Sequence, residues 1–224
     1  MRSLFSFLVL FLFLFTVPAM AASPLTAKLQ SKYASIDTMQ SSFTQVLLHK
    51  ESGSKQQRSG VLSFKKPLLV RWDTQKPTKE LLIVGDNAIW NAFPDEEIAY
   101  KYASSLAQDS RSIIRVVTGQ ARLDQDFIVE EEGKEGGLAL LRLYPKEPSQ
   151  SMVEALLWID SSVGLIKKLR VYDFYGNENE IAFGEQKLGV KLQNSLFSYT
   201  PPKDYAVQDM TKQSGAKPKN PMMQ

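Results

Sequence analysis

The hydrophobic period of this chain changes early, and that change fixes its class of fold. After Ser23-Pro24, the apolar or aromatic residues Leu25, Leu29, Tyr33 and Ile36 recur at helical spacing. Ser23 suits the N-cap and Pro24 the first helical position, with the helix ending near Asp37. From Ser42 onward the period becomes two, in short segments broken by turn residues. Strands are predicted near 42–50, 58–65, 68–73, 79–85, 88–93 and 97–102. Helical spacing returns between Ser104 and Gly119, with Leu106, Ile113, Ile114 and Val117 on one side and Gly119 as the stop. Strands resume near 126–132, 138–144, 153–160, 165–174, 179–185 and 187–199. Close spacing favours consecutive antiparallel hairpins over crossover units. The expectation is a mainly β, α+β fold, with about eleven strands in one extended antiparallel sheet.

Such a sheet curls, and its faces differ. Leu68, Val70 and Trp72 alternate with Leu69, Arg71 and Asp73, and Val153, Ala155, Leu157 and Ile159 alternate with Glu154, Leu156, Trp158 and Asp160. A curled sheet with an apolar concave face and only two helices to cover it need not fill its own interior, which is a physical route to a cavity.

Met1-Arg2 precedes an unbroken apolar run, Leu4 to Phe15, followed by Ala19-x-Ala21. The run is too short to span a bilayer as a helix, and residues 1–21 are expected to be a secretory signal peptide cleaved after Ala21. Residues 22–208 form the expected single domain. The segment after Asp204 is rich in Lys, Gln, Ser, Gly and Pro and is expected to be mobile, with residues 209–224 set apart as the C-terminal tail. The absence of cysteine excludes disulfides, thiol catalysis and a lipidated N-terminal cysteine. Setting aside Arg2 with the leader, and Asp209, Lys212, Lys217 and Lys219 with the tail, leaves 23 basic against 23 acidic residues. A neutral body argues against nucleic acid as a partner, because phosphate binding needs a basic face.

Motifs for catalysis are missing. His49 is the sole histidine and cannot alone build a zinc site or a hydrolytic triad. Neither a G-x-S-x-G elbow nor a phosphate-binding glycine loop occurs. The runs Asp95-Glu96-Glu97 and Glu130-Glu131-Glu132 read as solvated charge. A carboxylate pair for glycan hydrolysis is defined by spatial separation and stays open as the enzyme alternative. The clusters Tyr172, Phe174, Tyr175 and Trp90, Phe93 read as core or interface.

An ordered set of short motifs is more specific. Phe43-Thr44-Gln45, Gly60-x-Leu62-x-Phe64-x-Lys66-Pro67, Arg71-Trp72, Pro77, and Leu82-Ile83-Val84-x-Asp86 with Trp90 and Pro94 come first. Trp158-x-Asp160, Gly164-Leu165-Ile166, Asp173-x-x-Gly176 and Phe197-Ser198-Tyr199-Thr200-Pro201-Pro202 follow. Their order and spacing, from about residue 24 to 209, resemble the periplasmic outer-membrane lipoprotein carrier family, LolA. The resemblance implies an incomplete antiparallel β-barrel closed by a helical lid over a hydrophobic cavity that shields lipoprotein acyl chains in the periplasm. It implies lipoproteins, an inner-membrane ATP-driven release complex, LolCDE, and an outer-membrane receptor, LolB, as partners of a monomeric, non-enzymatic protein without cofactor or metal. A lipid-sensing domain of RseB type is the alternative binding function.

On this reading Leu62, Phe64, Val70, Trp72, Leu81, Ile83, Trp90 and Leu157 supply the sheet side of the lining. Leu29, Ile36, Ile113 and Val117 supply the helical side. Family members commonly carry arginine before the proline at Pro67, where it is thought to bond the lid and hold the cavity shut. Lys66 stands there instead, a point charge in place of a planar fork.

Overall fold

The structure, a computed structural model, describes residues 23–108 and 113–211. The leader assigned to residues 1–21 and the tail beyond residue 211 lie outside the described residues. Twelve strands form one sheet: β1 (Thr38–Leu48), β2 (Lys55–Lys65), β3 (Leu69–Lys76), β4 (Glu80–Val84), β5 (Ala88–Phe93), β6 (Ile98–Ala103), β7 (Phe127–Glu135), β8 (Leu138–Pro145), β9 (Glu154–Asp160), β10 (Leu165–Tyr172), β11 (Glu178–Leu188) and β12 (Ala206–Asp209). Their order is β12-β6-β5-β4-β3-β2-β1-β11-β10-β9-β8-β7. Two hairpin meanders, β1–β6 and β7–β11, are therefore joined where β1 pairs with β11. β7 and β12 are the outer edges and do not pair with each other, so the sheet stays open.

Directly opposed residues on neighbouring strands share a face. The register thus extends two rows, Phe64–Val70–Val84 and Leu62–Trp72–Leu82, across β2, β3 and β4. Ala155, Leu157 and Ile159 face the corresponding interior on the other meander, beside Leu141, Leu169 and Ile181. All of these residues except Val84 and Leu82, at 2% and 3%, and Trp72, at 3%, are at or near zero exposure, and all join one buried cluster. The opposite face is charged: Arg142 pairs with Glu132 and Glu154, Arg170 with Glu178 and Glu180, and Arg71 with Asp73.

Helix α1 (Pro24–Ala34) begins as the sequence predicts, with the Thr26 N–H donating to Ser23 Oγ at 3.2 Å and Pro24 in the first turn. It buries Thr26, Leu29 and Tyr33 against the sheet interior. The region expected to be one helix, Ser104 to Gly119, contains a 3-10 turn at Ser104–Gln108 and a short helix α2 (Ile113–Val117). Leu106 is 39% exposed, so it does not share the covered face of Ile113, Ile114 and Val117. A further short helix, α3 (Leu123–Asp126), precedes β7. Gly119 follows α2 at φ 68°, and a Cβ there would lie 2.2 Å from the Cβ of Tyr33, so glycine permits both the turn and the approach of α1.

Two expectations near the C-terminus are corrected. Beyond Leu188 the chain leaves the sheet at Gly189 and runs as a strap over the outer face, with a 3-10 turn at Asn194–Phe197. The predicted strand 187–199 exists only as the end of β11. β11 already pairs with β1 on one side and β10 on the other, and the alternation in the strap reflects burial of Phe197 beneath it rather than pairing. Nor does the polar composition after Asp204 begin a loose segment, since Ala206–Asp209 adds to β6 in parallel.

Candidate functional site

The interior face is roofed by α1, α2 and α3, and its centre is apolar. Leu62, Phe64, Val70, Trp72 and Leu157 from the sheet meet Leu29, Ile36, Ile113 and Val117 from the helical side in the same buried cluster. Phe43 packs on Trp72 with ring centroids 4.9 Å apart and planes inclined by 52°. Met39, Leu82, Val84, Ile89, Leu169 and Ile181 complete much of the wall.

Leu81, Ile83 and Trp90 are placed elsewhere. Leu81 opposes Asp73 and Ile83 opposes Arg71, on the face opposite Val70 and Trp72. Trp90 opposes Ile83, and its ring lies 5.7 Å from that of Tyr199 in the strap. On β4 it is Leu82 and Val84 that face the helices. A shift of one residue reverses the face of every side chain on a strand. The apolar run Leu81-Leu82-Ile83-Val84 conceals that choice, because Ile83 is fully buried on the other face as well.

Polar contacts join α1 to the sheet and its turns. The Lys66 ammonium donates to the Ala34 carbonyl at the C-terminal end of α1 and lies 3.7 Å from Asp37 Oδ1. The Lys66 backbone N–H donates to the Asp37 carbonyl at 2.9 Å. A cation here satisfies a carbonyl the helix leaves unpaired and opposes the negative end of the helix dipole. Near the middle of α1, Lys28 donates to the carbonyls of Ser161 at 2.7 Å and Ser162 at 3.0 Å. Between them, the Ile166 N–H donates to the Tyr33 hydroxyl at 3.3 Å. Burial pushes the Tyr33 hydroxyl up to about 12, and the Ile166 bond moderates the rise.

Beyond Trp72 the interior turns polar. Gln45 donates to Asn179 Oδ1 at 2.9 Å, Arg58 pairs with Glu80 at 2.9 Å, and Asn91 donates to the other Glu80 oxygen at 3.1 Å. Burial raises the Glu80 carboxyl above its ordinary value, while Arg58 and Asn91 draw it back. Sequence reading missed this group. Extending the alternation one step past Phe43 and Trp72 reaches Gln45 and Thr74, but nothing in the sequence reveals that Arg58 meets Glu80 across β3.

Comparison with known proteins agrees with this architecture. A family model described as outer membrane lipoprotein carrier protein LolA matches residues 34–200. The chain belongs to this family. Among curated LolA-family relatives, the outer-membrane lipoprotein carrier protein of Methylococcus capsulatus is 26% identical over 177 residues, spanning 79% of this chain and 83% of that protein. The carrier protein of Chromobacterium violaceum is 25% identical over 186 residues, spanning 83% and 87%. An uncharacterized conserved protein from Thermus thermophilus shares the fold, with a TM-score of 0.53 at 12% identity over 83% of this chain and 96% of its own. The chain is thus a LolA-family protein built on an open twelve-stranded sheet.

Proposed function

We propose that this protein is a periplasmic, non-enzymatic carrier that takes the acyl chains of lipoproteins leaving the inner membrane and delivers the lipoproteins to an outer-membrane receptor. The observation that carries the reading is the apolar interior face of an open sheet, roofed by helices. Family membership supports the cargo class, since the curated relatives are named outer-membrane lipoprotein carriers. LolCDE as the source and LolB as the acceptor belong to the same proposal, as does cleavage of residues 1–21 on export. No helix among the described residues is long and apolar enough to cross a membrane.

The physical need is large. Each buried methylene contributes about 0.8 kcal/mol, so one 16-carbon chain in water is disfavoured by on the order of 10 kcal/mol. Wall residues exchange contacts with the roof for contacts with acyl chains, which keeps transfer nearly neutral because both are apolar. Lifting α1 loses mainly the Leu29 and Tyr33 burial and the Lys66 and Lys28 bonds, while the sheet keeps its ladder.

Val70 has no exposed surface, and its strand neighbour Trp72 shares its face. A carboxylate introduced by Val70→Glu would be buried without a partner, at a cost of roughly several kcal/mol or forced protonation. The folded Val70→Glu protein is expected to bind an uncharged fluorescent acyl probe at least tenfold more weakly than wild type. Equal affinity would remove Val70 from the lipid-contacting wall. Co-purification of lipoprotein with the native periplasmic protein, read by mass spectrometry, tests the cargo directly.

A further inference from the structure

The interior is divided along the strands. Toward Lys66 it is lined by Phe64, Val70 and Val84, whereas past Trp72 and Leu82 it carries Gln45, Arg58, Thr74, Glu80, Asn91 and Asn179. Arg58 and Lys66 are separated along β2 by roughly 26 Å of strand. The polar residues come from six strands, β1, β2, β3, β4, β5 and β11, and converge only through the sheet order. Gln45, Thr74, Asn91 and Asn179 are 2%, 4%, 2% and 1% exposed, and the Arg58 and Glu80 side chains 11% and 13%.

Burying an ion pair and four polar side chains in the wall of an apolar chamber is poor economy for stability alone. Well-packed apolar residues at a buried charge pair are often neutral or stabilising. Two details point to a ligand instead. Asn91 Oδ1 is buried with no hydrogen-bond partner among the described residues. A cavity of about 10 Å3, room for one water, lies against Gln45, Arg58, Thr74 and Glu80, with Trp72 and Leu82 as its apolar side. Its lining combines donors and acceptors with the start of the apolar wall.

We infer that this polar end is a subsite for the carbonyl-rich linkages of an acylated glycerol or acylated amine, whose chains lie in the apolar end beyond Trp72. The inference rests on the carrier reading and deepens it. Acyl chains do not end in hydrocarbon: ester or amide groups join them to their carrier, and burial of the chains brings those groups below the surface. There they need partners. Gln45 and Asn91 each give one amide N–H to Asn179 and Glu80, and the second N–H of each can donate to a carbonyl oxygen, while the Asn91 oxygen supplies an acceptor for an amide N–H. Arg58, held by Glu80 and by Gln56 Oε1, places a positive charge beside them. Such a subsite fixes the depth and direction of the chains, and it would distinguish an anchored lipid from a bare hydrocarbon.

The full mature protein tests this with three probes: an N-acyl-S-diacylglyceryl-cysteinyl tetrapeptide, a phosphatidylethanolamine with the same chains, and a pyrenyl alkane that has no carbonyl. Arg58→Met/Glu80→Leu removes both charges together, leaving neither unpaired. This variant is expected to weaken lipopeptide binding at least tenfold more than pyrenyl alkane binding. Asn91→Ala, measured in the same way, provides a second variant should the first fail to fold, with the same selective loss expected. Selective loss for the lipopeptide alone assigns the subsite to the N-acyl amide and cysteine backbone. Selective loss for lipopeptide and phospholipid alike assigns it to the shared ester linkages. Equal weakening of all three probes, or of none, overturns the subsite while leaving the carrier reading intact. Failure of the wild-type protein to bind any probe overturns the carrier reading itself.

Discussion

Lys66 and Tyr33 show how single residues set the hold of the roof on the sheet. The Lys66 contact is charge-assisted but its side chain is 29% exposed, so its worth is about 1 kcal/mol or less. Lys66→Leu is therefore expected to leave global stability nearly unchanged while speeding amide exchange across Pro24–Ala34 and accelerating lipid uptake. Lys66→Arg can offer the same carbonyl a planar fork and is expected to slow both. Identical exchange in the three proteins would mean that packing alone holds α1. Tyr33 makes a pH prediction. Its folded-state value, pushed up to about 12, exceeds the unfolded value of 10.0, so above pH 10 the unfolded chain loses its proton first. Stability is then unaffected below pH 10 and falls between pH 10 and 12, by about tenfold in the folding equilibrium per pH unit. Tyr33→Phe should flatten that part of a denaturant-midpoint profile, although removing the Ile166 acceptor costs about 1 kcal/mol at neutral pH.

At the scale of elements, the strap is a second attachment, on the sheet's outer face. Thr38 Oγ donates to the Val190 carbonyl at 2.8 Å, Lys65 to Asn194 Oδ1 at 2.6 Å and to the Leu192 carbonyl at 3.2 Å. Phe197 is 3% exposed, and its carbonyl would lie 2.9 Å from a Cβ at Gly85, so the strap sits close on the β4–β5 turn. Phe197→Ala is expected to lower stability by about 3 kcal/mol in denaturant titration. Tyr199→Ala, which loses the ring contact with Trp90, should cost about 1 kcal/mol. If both lie within experimental error of wild type, the strap does not hold the outer face. The existence and type of most strands were legible, because hairpin-paired strands carry their own alternation and turn residues. The strap was not, because alternation reports a covered side and an unpaired segment lying over a sheet has one too. The 3-10 turn at Ser104–Gln108 also escaped: Leu106 has helical spacing to Ile113 but is 39% exposed.

At the scale of the whole molecule, β1 does what no local pattern specifies: it pairs with β2 along one edge and with β11, more than a hundred residues later, along the other. That single pairing turns two meanders into one sheet and brings Leu157 to the same interior as Val70. Export belongs at this scale as well. The protein recovered from the periplasm is expected to begin at Ala22 or Ser23, by intact mass, and a membrane-bound form retaining residues 1–21 would contradict cleavage. The sequence by itself determined the amphipathic first helix with its Ser23 cap, the antiparallel hairpins, the family, and the wall formed by Leu62, Phe64, Val70 and Trp72, because each of these is written in local periodicity or in the order of short motifs. Only the tertiary structure decided the facing of Leu81, Ile83 and Trp90, the strap, and the meeting of Arg58, Glu80, Asn91 and Asn179. Those depend on which surfaces come to lie on both sides of a strand, and on partners that are distant in the chain and adjacent only once the sheet has assembled.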